Sequence, residues 1–261
     1  MSEDELMVFV ASGACALLTW LAFLSRLLRV RSAHDVRVPR VLVVLSLPLC
    51  GAVFVLVLRF FASFDVQEDV GYTFFYVAMG AAFVGVATQF FAALGFCIRH
   101  DLGELGNRAV VPLVIGALLA FTLAFTGGNV GDGPGWWVVV VAASIAATAL
   151  VVAWLVVDGF AGIAERATVE RDLGAGLRGG ALWVAMGLVV GRGAAGDYES
   201  IEATLVDFAS IAWVLVPLSV GAIVVERVVG RLGGGGAIAT VVAACAYLAV
   251  GATSIVAFGA P

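Results

Sequence analysis

Few side chains in this sequence could do chemistry, and those few are charged or amide groups set at the edges of long apolar runs. Arg192 lies near the end of the sixth such run and Asp207 about one turn into the seventh, so the short hairpin between them would bring the two side chains level. Charges at membrane depth are costly and usually face a partner or a wet cavity. The pair therefore reads first as an interfacial ion pair pinning the hairpin, and second as part of an ion or solute path. Arg59 could meet Asp65, Glu68 or Asp69 in the same manner, with snorkelling to the surface as the default. Gln89, beside Thr88, is placed to hydrogen-bond a neighbouring helix rather than a ligand.

Other chemistries lack their residues. His34 and His100 are the two histidines, and His100-Asp101 near Glu104 has no second histidine nearby with which to hold a metal. No H-E-x-x-H, G-x-S-x-G or phosphate-binding P-loop is written in the chain, and Gly233–Gly236 is not followed by Gly-Lys-Ser/Thr. All fourteen basic residues are arginine, so no lysine is present to form a retinal Schiff base. A net charge of −5 without a basic face argues against nucleic acid as a partner. Cys15, Cys50, Cys97 and Cys245 fall in or beside different apolar runs, as small hydrophobes do. The expectation is a protein that is not an enzyme and takes no cofactor or metal.

The elements that carry these residues are membrane spans. Of 261 residues, 62% are hydrophobic and 13% charged, against about 25% charged in a soluble domain. Apolar runs long enough to cross about 30 Å of hydrocarbon are expected over 6–27, 41–63, 71–97, 109–126, 136–157, 178–194, 203–225 and 236–258. The acidic start Met1-Ser2-Glu3-Asp4-Glu5 lacks the basic region of a signal peptide, so the first run reads as a retained helix.

Charge supports eight spans over seven. Arg26, Arg29, Arg31, Arg37 and Arg40 follow the first span and Arg99 and Arg108 the third. Arg166, Arg171 and Arg178 follow the fifth, and Arg227 and Arg231 the seventh. The alternate connections carry Asp65, Glu68, Asp69, Asp132, Asp197, Glu199 and Glu202 and no arginine. This pattern puts the arginine loops in the cytoplasm and both termini outside a prokaryotic inner membrane. Tyr72, Trp136, Trp137 and Tyr198 then lie at the outer interface, where amphipathic rings settle. The loops 26–40 and 158–178 are the longest and could contact a soluble partner or anionic lipid.

The fold expected is all-α: eight transmembrane helices as four two-helix hairpins repeated in parallel, in two halves, 1–130 and 131–261. Asp101-Leu102-Gly103 and Asp172-Leu173-Gly174 stand 71 residues apart, close to one hairpin. Gly106 and Asn107, Gly179 and Gly180, and Gly233 to Gly236 mark glycine-rich entries into the fourth, sixth and eighth spans. Gly187 and Gly191 form a G-x-x-x-G, extended by Gly180 and Ala195, suited to close helix contact. Pro48 and Pro217 lie deep enough to kink their spans, while Pro112 sits in a first turn.

A basic entry with Asp, a glycine turn and small residues opening a helix resembles the YjfL-like bacterial inner-membrane proteins, a family of unknown function. The stretches Asp172 to Gly196 and Gly233 to Ala252 carry the likeness, with Asn107 matching the family's Gly-Asn turn; Arg178-Gly179-Gly180 departs from it. The resemblance implies a duplicated four-helix domain and a link to envelope-stress proteins of the phage-shock type. The function expected is an inner-membrane component that assembles with itself, or with a membrane or cytoplasmic protein, in the lipid bilayer. The alternative is a channel or transporter for a small ion or solute.

Overall fold

A bilayer core holds no water to satisfy backbone N–H and C=O groups, so an apolar run that enters it must bond to itself as a helix. The chain follows this rule in a computed structural model that describes residues 2–32, 34–231 and 236–258, with the backbone alone at Asp65 and Arg231. Its spans are α1 (Glu3–Leu28), α2 (Arg37–Phe60), α3 (Val70–Leu94), α4 (Val110–Gly127), α5 (Trp136–Ala161), α6 (Leu173–Ala194), α7 (Ile201–Gly230) and α8 (Ala237–Ala257). No strand occurs among the described residues beyond isolated bridges from Ala62 to Val130 and Gly131. Eight spans of this length and hydropathy make the chain a multi-pass membrane protein.

Polar side chains cap the starts of α1, α3, α6 and α7. Ser2 and Glu5 form a reciprocal capping box on α1. Asp69 caps α3 through the Gly71 N–H at 2.6 Å, and Asp172 caps α6 through the Gly174 N–H at 2.8 Å. That last cap corrects the sequence reading. α6 begins at Leu173 and not at 178, and α5 runs on to Ala161, so the expected long loop 158–178 is mostly helix, including the short turn Ile163–Thr168. The two Asp-Leu-Gly triplets are also used differently: Asp172 opens α6 directly, whereas Asp101 lies in a wide turn, Ile98–Glu104, ahead of α4.

Two spans are irregular. α3 tightens from α to 3-10 winding over Thr88–Leu94 and stops at Gly95, whose φ of +97° suits glycine. α7 is broken at Trp213 and Val214, just ahead of Pro217, which has no N–H to return to the Trp213 carbonyl. Pro48, by contrast, sits inside an unbroken α2.

The spans pack as two rows. One runs α2, α4, α6, α8; the other is two pairs, α1 with α3 and α5 with α7, that meet at the 3-10 end of α3. α4 and α6 form the centre, with 78% and 67% of their apolar windows buried against 11% for α1. Glycines bring α4 and α6 backbone to backbone. Gly180 lies against the Pro112 carbonyl, Gly116 against Gly180, and Gly191 against Leu123 and Gly127. A Cβ added at Gly187 would stand 2.6 Å from the Ala120 Cα. Close approach of this kind replaces the hydrophobic drive that lipid cannot supply.

Connections lock the rows at both ends. At the arginine-rich end, Arg40 donates to the carbonyls of Val30 (2.7 Å) and Gly103 (2.9 Å). Gly106, left-handed at φ +59°, packs on the Asp35 carbonyl. Asn107 donates to the carbonyls of Ala167 (2.8 Å) and Thr168 (3.1 Å). At the acidic end, the Gly196 N–H reaches the Val130 carbonyl (2.8 Å), and the Asp132 N–H reaches the Asp197 carboxylate (2.7 Å). Trp137 meets Tyr198 edge-on there, with ring centroids 5.1 Å apart.

Candidate functional site

The early start of α6 carries Arg178 inside the helix bundle, about a turn and a half past the cap. A break in α7 followed by a fresh helix from Leu215 sets Ala222, Glu226 and Val229 on one buried face. Arg178 and Glu226 meet with both side chains fully out of solvent. Arg178 grips the carboxylate in a fork, Nε to Oε1 at 2.7 Å and Nη2 to Oε2 at 3.0 Å. Its Nη1 donates to the Thr240 hydroxyl of α8 at 3.0 Å.

Two more donors complete the cluster. Arg166, from the Ile163–Thr168 turn, donates Nη2 to Oε2 at 2.7 Å, and the Tyr247 hydroxyl of α8 reaches Oε1 at 3.4 Å. An ionised carboxylate offers about four acceptor positions, and Glu226 has all of them occupied. One side chain thus ties together α6, α7, α8 and the turn before α6. The arrangement is a clasp: each oxygen is already spoken for, so it holds helices rather than a ligand. Beside it, Trp183 stacks on Trp154 at 4.7 Å, and the Trp154 indole donates to the Leu94 carbonyl at 3.0 Å.

The residues singled out by sequence fall elsewhere. Arg192 is half-buried and donates to the carbonyls of Phe258 (2.8 Å) and Ala195 (3.3 Å), while Asp207 is exposed near Glu199 and Glu202. The two are not brought into an ion pair. Arg59 is exposed and donates to the Gln67 carbonyl. Gln89 joins α3 to α1 through the Thr19 carbonyl at 3.2 Å. Gly179 and Gly180 lie in the α4–α6 contact, Gly236 caps α8, and Gly233 lies outside the described residues.

His100 and Glu104 meet at 3.1 Å, and Asp101 does not join them. The Asp101 carboxylate turns inward onto the Cys97 N–H at 2.6 Å, and burial pushes its pKa up. Glu104 faces outward, and hydrogen bonds from His100 and then Arg99 hold its pKa below the usual carboxylate value.

Glu226 is the residue sequence reasoning missed. Ending the seventh span at 225 left it in a loop, beside Arg227. The signal was present: Ile223-Val224-Val225 before it and Val228-Val229 after it make it a charge inside an apolar run.

A separate cavity of about 630 Å³ opens sideways from the bundle between α3 and α5. Ala82, Ala87 and Phe90 of α3 form one wall, Trp136, Ala147 and Val151 of α5 the other, and Phe121 and Phe125 of α4 the floor. The 3-10 winding stacks Phe90 and Ala93 in one column along that wall, because residues three apart eclipse. Compared with known proteins, the chain matches no family model, no curated protein and no solved structure.

Proposed function

We propose that this protein is a non-enzymatic component of a prokaryotic cytoplasmic membrane that works by assembling with a second copy of itself. The lateral groove between α3 and α5 carries the reading. It runs along the helices, its lining is almost wholly apolar, and alanines alternate with aromatic rings as they do where one helix face seats another. The hydroxyl of Thr148, one of its few polar groups, is already bonded to the Ser144 carbonyl. The arginine-rich end faces the cytoplasm in this reading, by the positive-inside bias. The duplicated four-helix unit over 1–130 and 131–261, as in the YjfL-like proteins, belongs to the same proposal. Single-molecule counting in lipid vesicles tests assembly. Wild-type chains pair as protein density in the vesicle rises, and Ala147→Trp, which fills the groove, weakens pairing about tenfold or more. Monomers at every density would end the proposal.

A second reading, passage of a small ion or solute, draws on one observation: Glu226 is an ionisable group buried in a membrane span. It ranks behind because four donors already occupy the carboxylate. Proteoliposomes with wild-type protein are expected to leak small ions no faster than empty liposomes. Flux removed by Glu226→Gln in a folded protein would reverse the ranking.

A further inference from the structure

We infer that the arginine-rich end of α1 carries a binding site for the phosphate headgroup of an anionic phospholipid. Two elements build it. The last turn of α1 and the chain beyond contribute Arg26, Arg29 and Arg31; the turn after α3 contributes Arg99 and Glu104. Together they line an open crevice of about 620 Å³.

Of the other arginines of this end, Arg40 is committed to three carbonyls and Arg166 and Arg178 to Glu226, while the exposed Arg37, Arg108, Arg171 and Arg227 do not line the crevice. The guanidinium groups of Arg26, Arg29 and Arg31 have no hydrogen-bond or ion-pair partner among the described residues. Arg99 shares the one carboxylate of the crevice, Glu104, at 3.1 Å, and His100 contacts the same group at 3.1 Å. Four guanidinium groups therefore converge on a space holding a single, already shared anion. The ligand that balances them is anionic, and the planar forks of arginine suit phosphate oxygens.

Position decides the source of the phosphate. The crevice lies at the C-terminal end of α1, where a span of this length gives out into the headgroups. On the same helix Leu17, Leu18, Leu21 and Leu28 are 61%, 69%, 53% and 46% exposed and give acyl chains an apolar track leading to it. A free phosphate would use the arginines and leave that track unused; a phospholipid uses both. Basic clusters at this depth are the sites where membrane proteins hold anionic lipid.

The test titrates the full chain in neutral detergent with phosphatidylglycerol or phosphatidylcholine and reads bound lipid by native mass spectrometry. Phosphatidylglycerol is expected to bind about tenfold tighter, at roughly fivefold per well-placed arginine with losses for imperfect geometry. The triple variant Arg26→Gln, Arg29→Gln, Arg31→Gln abolishes the preference; its side chains are exposed and unpartnered, so an unchanged thermal midpoint in phosphatidylcholine verifies its fold. Arg59→Gln, at the other end of the bundle, keeps the preference. Equal binding of the two lipids overturns the inference, as does a preference that survives the triple substitution or is lost with Arg59→Gln. Displacement of the lipid by about 10 mM inorganic phosphate would assign the crevice to the free ion and overturn it as well.

Discussion

Replacing Glu226 with alanine is expected to cost about 3–5 kcal/mol of stability, a large part of the 5–15 kcal/mol that holds a typical protein folded. The loss comes less from missing attraction than from what remains. Arg178 has no solvent contact and Arg166 has 12% side-chain exposure, so both guanidinium groups would stay buried without a counter-charge. Glu226→Gln keeps hydrogen-bond acceptors but drops the charge, and falls between the variant and the wild type. The paired replacement Arg178→Met with Glu226→Leu should regain only the part of the loss due to Arg178, because Arg166 still lacks its counter-charge. Thermal unfolding in lipid nanodiscs reads all three, with a coupling of at least about 2 kcal/mol expected between the two positions. A drop below about 1 kcal/mol for Glu226→Ala would mean that water reaches the cluster and that it is not a clasp.

The second large effect concerns a methyl group. Gly180→Ala puts its Cβ onto the Pro112 carbonyl group, 2.7 Å from the carbon, where backbone cannot yield without moving α4 away from α6. Overpacking of this kind costs about 1–3 kcal/mol, and a rigid backbone neighbour places it at the upper end. Gly221 of α7 is the control, since a Cβ there meets nothing within 4 Å. Gly221→Ala is expected to be neutral or to stabilise by up to about 1 kcal/mol, as alanine is the better helix former. Opposite signs for the same chemical change would tie the α4–α6 contact to backbone approach. Equal effects at the two sites would remove that account.

The spans themselves were legible, because length and hydropathy are local properties and the alternation of arginine with acid marks where the chain turns. The ends of α6 were less so. Asp172 followed by two glycines reads as a turn, yet the carboxylate caps a helix that small residues allow to pack closely. Side-chain pairing was not legible. Each residue turns about 100° around a helix, so Arg192 and Asp207, expected to stand level, face different surroundings: two carbonyls for Arg192 and an exposed face for Asp207. Arg178 and Glu226, 48 residues apart, meet only because α6 and α7 are set beside α8 and rotated toward it. Gln89 succeeded because an amide inside a membrane helix has few partners other than a neighbouring helix.

The clasp also imposes an order of events on biosynthesis. Arg166 and Arg178 leave the ribosome 60 and 48 residues ahead of Glu226. At about 5–20 residues per second, that lead lasts roughly 2–12 s. During this interval two cations that the finished protein hides are in the membrane without their anion, and their long side chains can reach back to the headgroups. Only when α7 is complete does Glu226 reach them and supply both guanidinium groups with a counter-charge at once.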